Sequence, residues 1–117
     1  MAEDRVWLKE YPPGVPAEID IDPRDSLVGM LDRACSRHAQ KPAFSNMGRT
    51  LGYAEFDALT RRFAAWLQSL PGVVPGERVA IMLPNVLQYP VALFGVWRAG
   101  RVGVNGNARS TASELAH

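Results

Sequence analysis

Cysteine is almost absent. Cys35 stands alone in 117 residues, so no intrachain disulfide can form, and a reducing compartment is the natural expectation. A surplus of either charge is missing too. Against 13 Lys and Arg stand 12 Asp and Glu, which removes the basic footprint of a nucleic-acid binder. No long hydrophobic run occurs. The longest, Val86 to Ala99, is interrupted by Gln88, Pro90 and Arg98 and falls short of the roughly 20 residues a transmembrane helix needs. Met1-Ala2-Glu3-Asp4-Arg5 is acidic and polar with no apolar stretch behind it, so it reads as a true start and not as a secretory signal. These absences lead to the expectation of a soluble cytoplasmic chain with no nucleic-acid partner and no transmembrane segment.

Phosphate-binding signatures are missing as well: there is no Walker loop, and no GxGxxG follows a strand. Gly103 and Gly106 lie near a strand end, where a tight turn is the better reading. Histidine is scarce, with only His38 and His117. Cys35 and His38 sit one helical turn apart, but zinc needs four ligands, and a nucleophilic pair needs an orienting group and an oxyanion hole. Cys35 is therefore read as a small buried packing residue, and no metal site and no catalytic residue are assigned.

What is present is ordinary globular composition, 47% hydrophobic and 21% charged, which excludes a disordered chain. Pro12, Pro13, Pro16 and Pro23 favour extended geometry, so residues 1–24 are read as an extended, proline-bearing leader. Residues 25–117 read as an incomplete α/β subdomain. A first helix is expected from Asp25 or Ser26 to about His38, with Leu27, Leu31, Ala34, Cys35 and His38 on one face. Pro42–Asn46 and Arg49–Leu51 form a hairpin around Met47-Gly48. A longer helix from Tyr53 to Leu70 lines up Phe56, Leu59, Phe63, Leu67 and Leu70 and stops at Pro71-Gly72. Val79–Leu83 is a continuous apolar run, the pattern of a strand buried on both faces.

A helix over about Val86 to Ala99 and a strand at Val102–Asn105 complete a right-handed βαβ unit of a parallel sheet. The expectation is a three-layer arrangement in which Val86, Val91, Phe94 and Trp97, or most of them, pack on the sheet. Thr111-Ala112-Ser113-Glu114 reads as a capping box opening a helix of which one turn is present. Asn85, Gln88 and Tyr89 follow the C-terminal end of the buried strand, where open α/β sheets bind ligands, and are the candidate ligand-proximal residues. A plainer reading makes Asn85 the N-cap of the next helix, and both can hold together.

Several segments resemble one family. Tyr11-Pro12, Val15 through Asp20, Pro42-Ala43-Phe44, Asn46-Met47-Gly48, Pro75 through Asn85, Leu87 through Gly95 and Arg98-Ala99-Gly100 are similar to the opening of bacterial long-chain fatty acid–CoA ligases, in the AMP-forming adenylate superfamily. The resemblance covers nearly the whole chain, and Val79 to Gly100 is its most specific part. It implies the N-terminal part of the AMP-forming ligase fold: a βαβ parallel-sheet unit, a short hairpin and flanking helices. It also implies a two-step reaction, in which a carboxylate attacks the α-phosphorus of ATP and the thiol of coenzyme A then displaces AMP. ATP, Mg²⁺ and coenzyme A are implied for the full-length family, with a fatty acid as substrate and a peripheral membrane position left open.

In that family the phosphate loop, the adenine segment and the catalytic lysine lie downstream, so no catalytic, cofactor-binding or metal residue carries over. The sequence departs from the pattern where the family usually reads Asn-Pro-Leu-Tyr-Thr-Pro. Here Asn107-Ala108-Arg109-Ser110-Thr111-Ala112 loosens the turn into the last helix. The functional expectation is an N-terminal piece of such a ligase, inert alone and prone to self-association. The alternative is a non-catalytic standalone remnant or partner-binding module.

Overall fold

A computed structural model describes residues 4–116, which places Met1–Glu3 and His117, with the readings made on them, outside the described residues. The leader is not wholly extended. Val6–Glu10 forms a 3-10 helix, closed by Leu8 N donating to Arg5 O and Tyr11 N to Leu8 O. The prolines begin only at Pro12, so nothing in the preceding five residues forbids the turn.

Helix α1 spans Leu27–Arg37, and of the two candidate caps Ser26 takes the role, its hydroxyl accepting from Gly29 N at 3.0 Å. Leu31 and Cys35 are buried, while Leu27 at the overhanging end stays half-exposed. Strands β1 (Pro42–Asn46) and β2 (Arg49–Gly52) pair antiparallel, with Asn46 opposite Arg49 and Phe44 opposite Leu51. Their two-residue turn has positive φ at both Met47 (50°) and Gly48 (79°), the backbone signs of a type I′ hairpin.

Helix α2 runs from Tyr53 to Ser69 and buries Phe56, Thr60, Ala64 and Leu67. Leu59, Phe63 and Leu70, expected on the buried stripe, are half-buried flanks. The face is centred on small residues because α3 (Gln88–Arg98) crosses closely. A Cβ at Gly95 would come within 2.5 Å of the Phe63 ring, so only glycine fits there.

Strands β3 (Arg78–Ile81) and β4 (Val102–Asn105) lie parallel and adjacent, joined through α3, as the βαβ reading requires. Val79 pairs with Gly103 and Ile81 with Asn105 on the side facing α3, and Gly103 leaves space for Leu93. Ala80, Met82, Val102 and Val104 point the other way and are exposed. The expectation of a strand buried on both faces is thus corrected. Among the described residues helices cover one face, and the third layer is not present.

The packing of α3 also differs from expectation. Leu93, Val96 and Trp97 join Ala64, Leu67, Ile81 and Ala99 in a cluster on the sheet side. Val91 and Phe94 turn instead to a second cluster with Leu31, Cys35, Leu51 and Phe56, and Val86 precedes the helix. Residues 91–97 are apolar on every side, so a 3.6-residue period does not single out one buried face.

A polar network ties the three long helices together. Arg98, whose side chain is only 6% exposed, donates to Asp57 Oδ1 (2.7 Å) and Thr60 Oγ1 (3.0 Å) and forms an ion pair with Asp32 Oδ1 (2.8 Å). Arg61 reaches the same two carboxylates from the surface. At the sheet's other end buried Arg101 donates to Ala99 O and Val73 O, stapling the α2–β3 turn to the end of α3. The last element, α4 (Ala112–Leu115), carries the expected capping box: Glu114 N donates to Thr111 Oγ1 and Thr111 N to Glu114 Oε2.

Candidate functional site

The chain leaves β3 through Met82-Leu83-Pro84-Asn85 and enters α3 two residues later than its apolar pattern suggests. Leu87 is the N-cap and makes no side-chain cap bond, so the reading of Asn85 as N-cap is corrected. Pro90 sits in the third helical position, inside the first turn, where a missing N–H breaks no intrahelical bond. Asn85 is exposed, and its carbonyl accepts from Asn46 Nδ2 at 3.2 Å. This bond ties the hairpin tip to the β3–α3 loop.

Tyr89 is half-buried in the first turn of α3, and its hydroxyl donates to Asn105 Oδ1 at 2.7 Å, at the C-terminal end of β4. Gln88 is exposed. The three candidate residues therefore share one corner of the molecule but border two grooves. The first, about 520 Å³, lies between the hairpin turn and α3 and is bordered by Gln88. The second, about 420 Å³, lies against β1 and is bordered by Asn85 and Tyr89. Asn46, Val86 and Leu87 form the ridge between them.

Both grooves have apolar floors. Leu51, Leu59, Leu87 and Val91 line the first, and Phe44, Leu93 and Phe94 the second. Arg49 is the single charged residue bordering either groove among the described residues. It holds Glu55 at 3.4 Å, with both side chains more than half exposed. The polar groups here are amides, the Ser45 hydroxyl, one phenol and one guanidinium, which bind and orient by hydrogen bonding. Asn46, Arg49 and Asn105 were not anticipated. Asn105 had a usable signal, since it ends the strand beside β3, whereas the hairpin residues join the corner only through tertiary packing.

Cys35 lies in the second apolar cluster, 5% exposed. Burial, reinforced by the Asp57 charge and opposed by Arg98, pushes its thiol pKa up, so the reactive thiolate is disfavoured. The His38 ring tilts against Tyr53 with centroids 5.9 Å apart. Both residues behave as packing groups. Among the described residues no group of three or more His, Cys, Asp or Glu is placed to hold a metal ion, and no helix is long and apolar enough to cross a membrane.

The family model described as AMP-binding enzyme matches residues 31–117. A long-chain-fatty-acid–CoA ligase of Yersinia pestis is 51% identical over 97% of this chain and 20% of its own length. The chain thus spans about a fifth of the length of the curated relatives it matches. Among solved structures, a Mycobacterium tuberculosis fatty acyl CoA synthetase superposes with a TM-score of 0.68 at 29% identity, over 75% of this chain and 18% of that one. VinN superposes with a TM-score of 0.75 at 27% identity, over 82% and 25% respectively. The chain belongs to the AMP-binding enzyme family.

Proposed function

We propose that this member of the AMP-binding enzyme family is the N-terminal portion of an ATP-dependent long-chain fatty acid–CoA ligase, inert alone and contributing scaffold to the active site of the whole. The observation that carries this is the 51% identity sustained across 97% of the chain to a ligase of that name. The reaction forms an acyl–phosphate bond as the carboxylate displaces pyrophosphate from ATP, and the coenzyme A thiol then displaces AMP. The residues described offer no glycine-rich cradle for a triphosphate and no carboxylate bordering the grooves, so ATP, Mg²⁺ and coenzyme A are assigned to polypeptide beyond this chain.

What this chain supplies is position. The C-terminal ends of β3 and β4, with Asn85, Gln88, Tyr89 and Asn105, form the kind of edge along which open α/β sheets bind ligands. Residues 25–117 act as a subdomain completed by further strands and helices, and residues 1–24 as its surface leader. The parent works in the cytoplasm or at a membrane surface.

The test replaces the matching stretch of the Yersinia pestis relative with this chain and measures palmitate-dependent pyrophosphate release. Turnover by the chimera and none by the chain alone is the expected pair of results. A folded but inactive chimera, or stoichiometric ATP binding by the chain alone, would overturn the reading. A second reading, a standalone partner-binding module, draws on the exposed apolar face at Ala80, Met82, Val102 and Val104. A monodisperse, cooperatively unfolding monomer with no gain from added ligase polypeptide would favour it.

A further inference from the structure

We propose that residues 15–22 of one copy of this chain dock on the bare outer face of the β3–β4 sheet of a second copy, so that two copies exchange their leaders. The segment is written as a strand: Val15, Ala17, Ile19 and Ile21 alternate with Pro16, Glu18, Asp20 and Asp22. Yet no backbone N–H or C=O of residues 16–21 finds a partner among the described residues, and neither apolar cluster takes in a residue before Leu31. Ile19 is 80% and Ile21 77% exposed, more than any large apolar residue of the chain except Met47. A single exposed isoleucine needs no explanation, but a whole apolar row on one edge of a strand marks a contact surface.

Reach and charge both select a second copy as the partner. The leader joins the body at Ser26, the cap of α1, and α1 packs on α2 and α3 but on neither β3 nor β4. From Ser26 to Ile21 the chain spans at most about 18 Å. The outer face lies beyond two layer spacings, about 20 Å even on a straight path through helices and sheet, so the leader falls short of its own sheet. Residues 1–24 carry six acidic and three basic side chains, net −3, while residues 25–117 carry six acidic and ten basic, net +4. A second copy therefore offers the acidic leader a body of opposite charge, which steers encounter. The apolar row then covers Ala80, Met82, Val102 and Val104, and the acidic row stays in water. Pro16 and Pro23 preset the extended shape and lower the cost of ordering it. Four side chains against four make a small contact, which twofold exchange doubles, so the product is a weak, reversible dimer.

Pairing is read on the chain itself and turnover on the ligase chimera, so this proposal and the ligase reading can fail separately. Sedimentation equilibrium across the micromolar range should show a reversible monomer–dimer equilibrium. Ile19→Ser combined with Ile21→Ser should raise the dimer dissociation constant roughly tenfold or more. Circular dichroism should not change, since neither side chain belongs to a core cluster. Val104→Lys should weaken pairing to a similar degree from the other side of the contact. Mixed in equal amounts, the leader variant supplies an intact face and the Val104→Lys chain an intact leader, so a mixed dimer should form where neither variant pairs alone. A wild-type chain that stays monomeric would overturn the proposal. So would a leader variant that pairs as tightly as wild type, which would mean that two bare faces meet directly, or a mixture no more dimeric than its components.

Discussion

Replacing Arg98 with methionine tests how the three long helices are held together. Arg98 lies at the last residue of α3 with its side chain 6% exposed, and its donors reach Asp57, Asp32 and Thr60 within 3.0 Å. Methionine fills most of the volume of the stem but donates nothing. Removing one partner of a fully buried ion pair costs about 3–5 kcal/mol, because the other charge is stranded. Here the stranded charges are not fully buried: Asp57 is 28% and Asp32 47% exposed, and Arg61 remains within 3.1 Å of both. Water and Arg61 recover part of the loss, which brings the expected cost to about 2 kcal/mol. For a domain of this size that is a fall in Tm on the order of 10 °C.

The neighbouring variants rank the causes. Arg61→Gln removes a guanidinium that is 57% exposed and should cost far less than Arg98→Met, with most of that small loss gone in concentrated salt. Arg98→Lys keeps the charge but not the fork over three acceptors and should fall between the two. Arg98→Met combined with Asp57→Leu removes the more buried of the two charges that Arg98→Met alone leaves stranded, and should recover part of the loss. Urea unfolding followed by far-UV circular dichroism reads all four. Equal losses for Arg98→Met and Arg61→Gln, or no recovery in the double variant, would refute the account of a buried cation organising the helices.

Met47→Asn should stabilise the hairpin by about 1 kcal/mol, since asparagine tolerates the left-handed turn position, and thermal unfolding will register it. Cys35→Ala should cost about 1 kcal/mol in lost packing, and the wild-type thiol should react with a disulfide reagent far more slowly in the folded than in the unfolded chain. Because burial raises the folded thiol above its ordinary 9.0, the unfolded chain loses that proton first; stability is flat below that pH and falls as pH rises beyond it, a fall that Cys35→Ala should lack. Val104→Lys on the open sheet face should reduce self-association in sedimentation without loss of helical signal, because Val104 is 43% exposed and supports no core cluster.

The elements were legible where local chemistry decides them. Gly48 after an extended run, Pro71-Gly72 after a helical stripe and Thr111 three residues before Glu114 act over a few residues, and the structure follows each. Long-range choices were not legible. Asp57 and Arg61 have helical spacing, but Asp32, Asp57 and Arg98 meet only after α1, α2 and α3 have packed, and no local pattern announces that. The apolar run at Val79–Leu83 correctly marks a strand but not what covers it. Its outer face is left uncovered by the described residues.

The candidate site divides along the same line. Asn85, Gln88 and Tyr89 could be named because the C-terminal end of a parallel strand is a place that topology alone identifies. Asn46 and Arg49 could not, because the hairpin reaches that corner through aromatic packing: Phe44 meets Phe56 edge-on at 5.0 Å, and Phe56 meets Phe94 at 5.6 Å. Phe56 is 1% exposed and sits between the other two, so one side chain of α2 sets the distance from the hairpin to α3. Both grooves lie in the gap so defined. Their width is therefore a property of the core and not of the loops that rim them, and Phe56→Ala, which changes no groove-lining side chain, should let Phe44 and Phe94 move together and narrow the second groove, a shift that a crystal structure of the variant would show or refute.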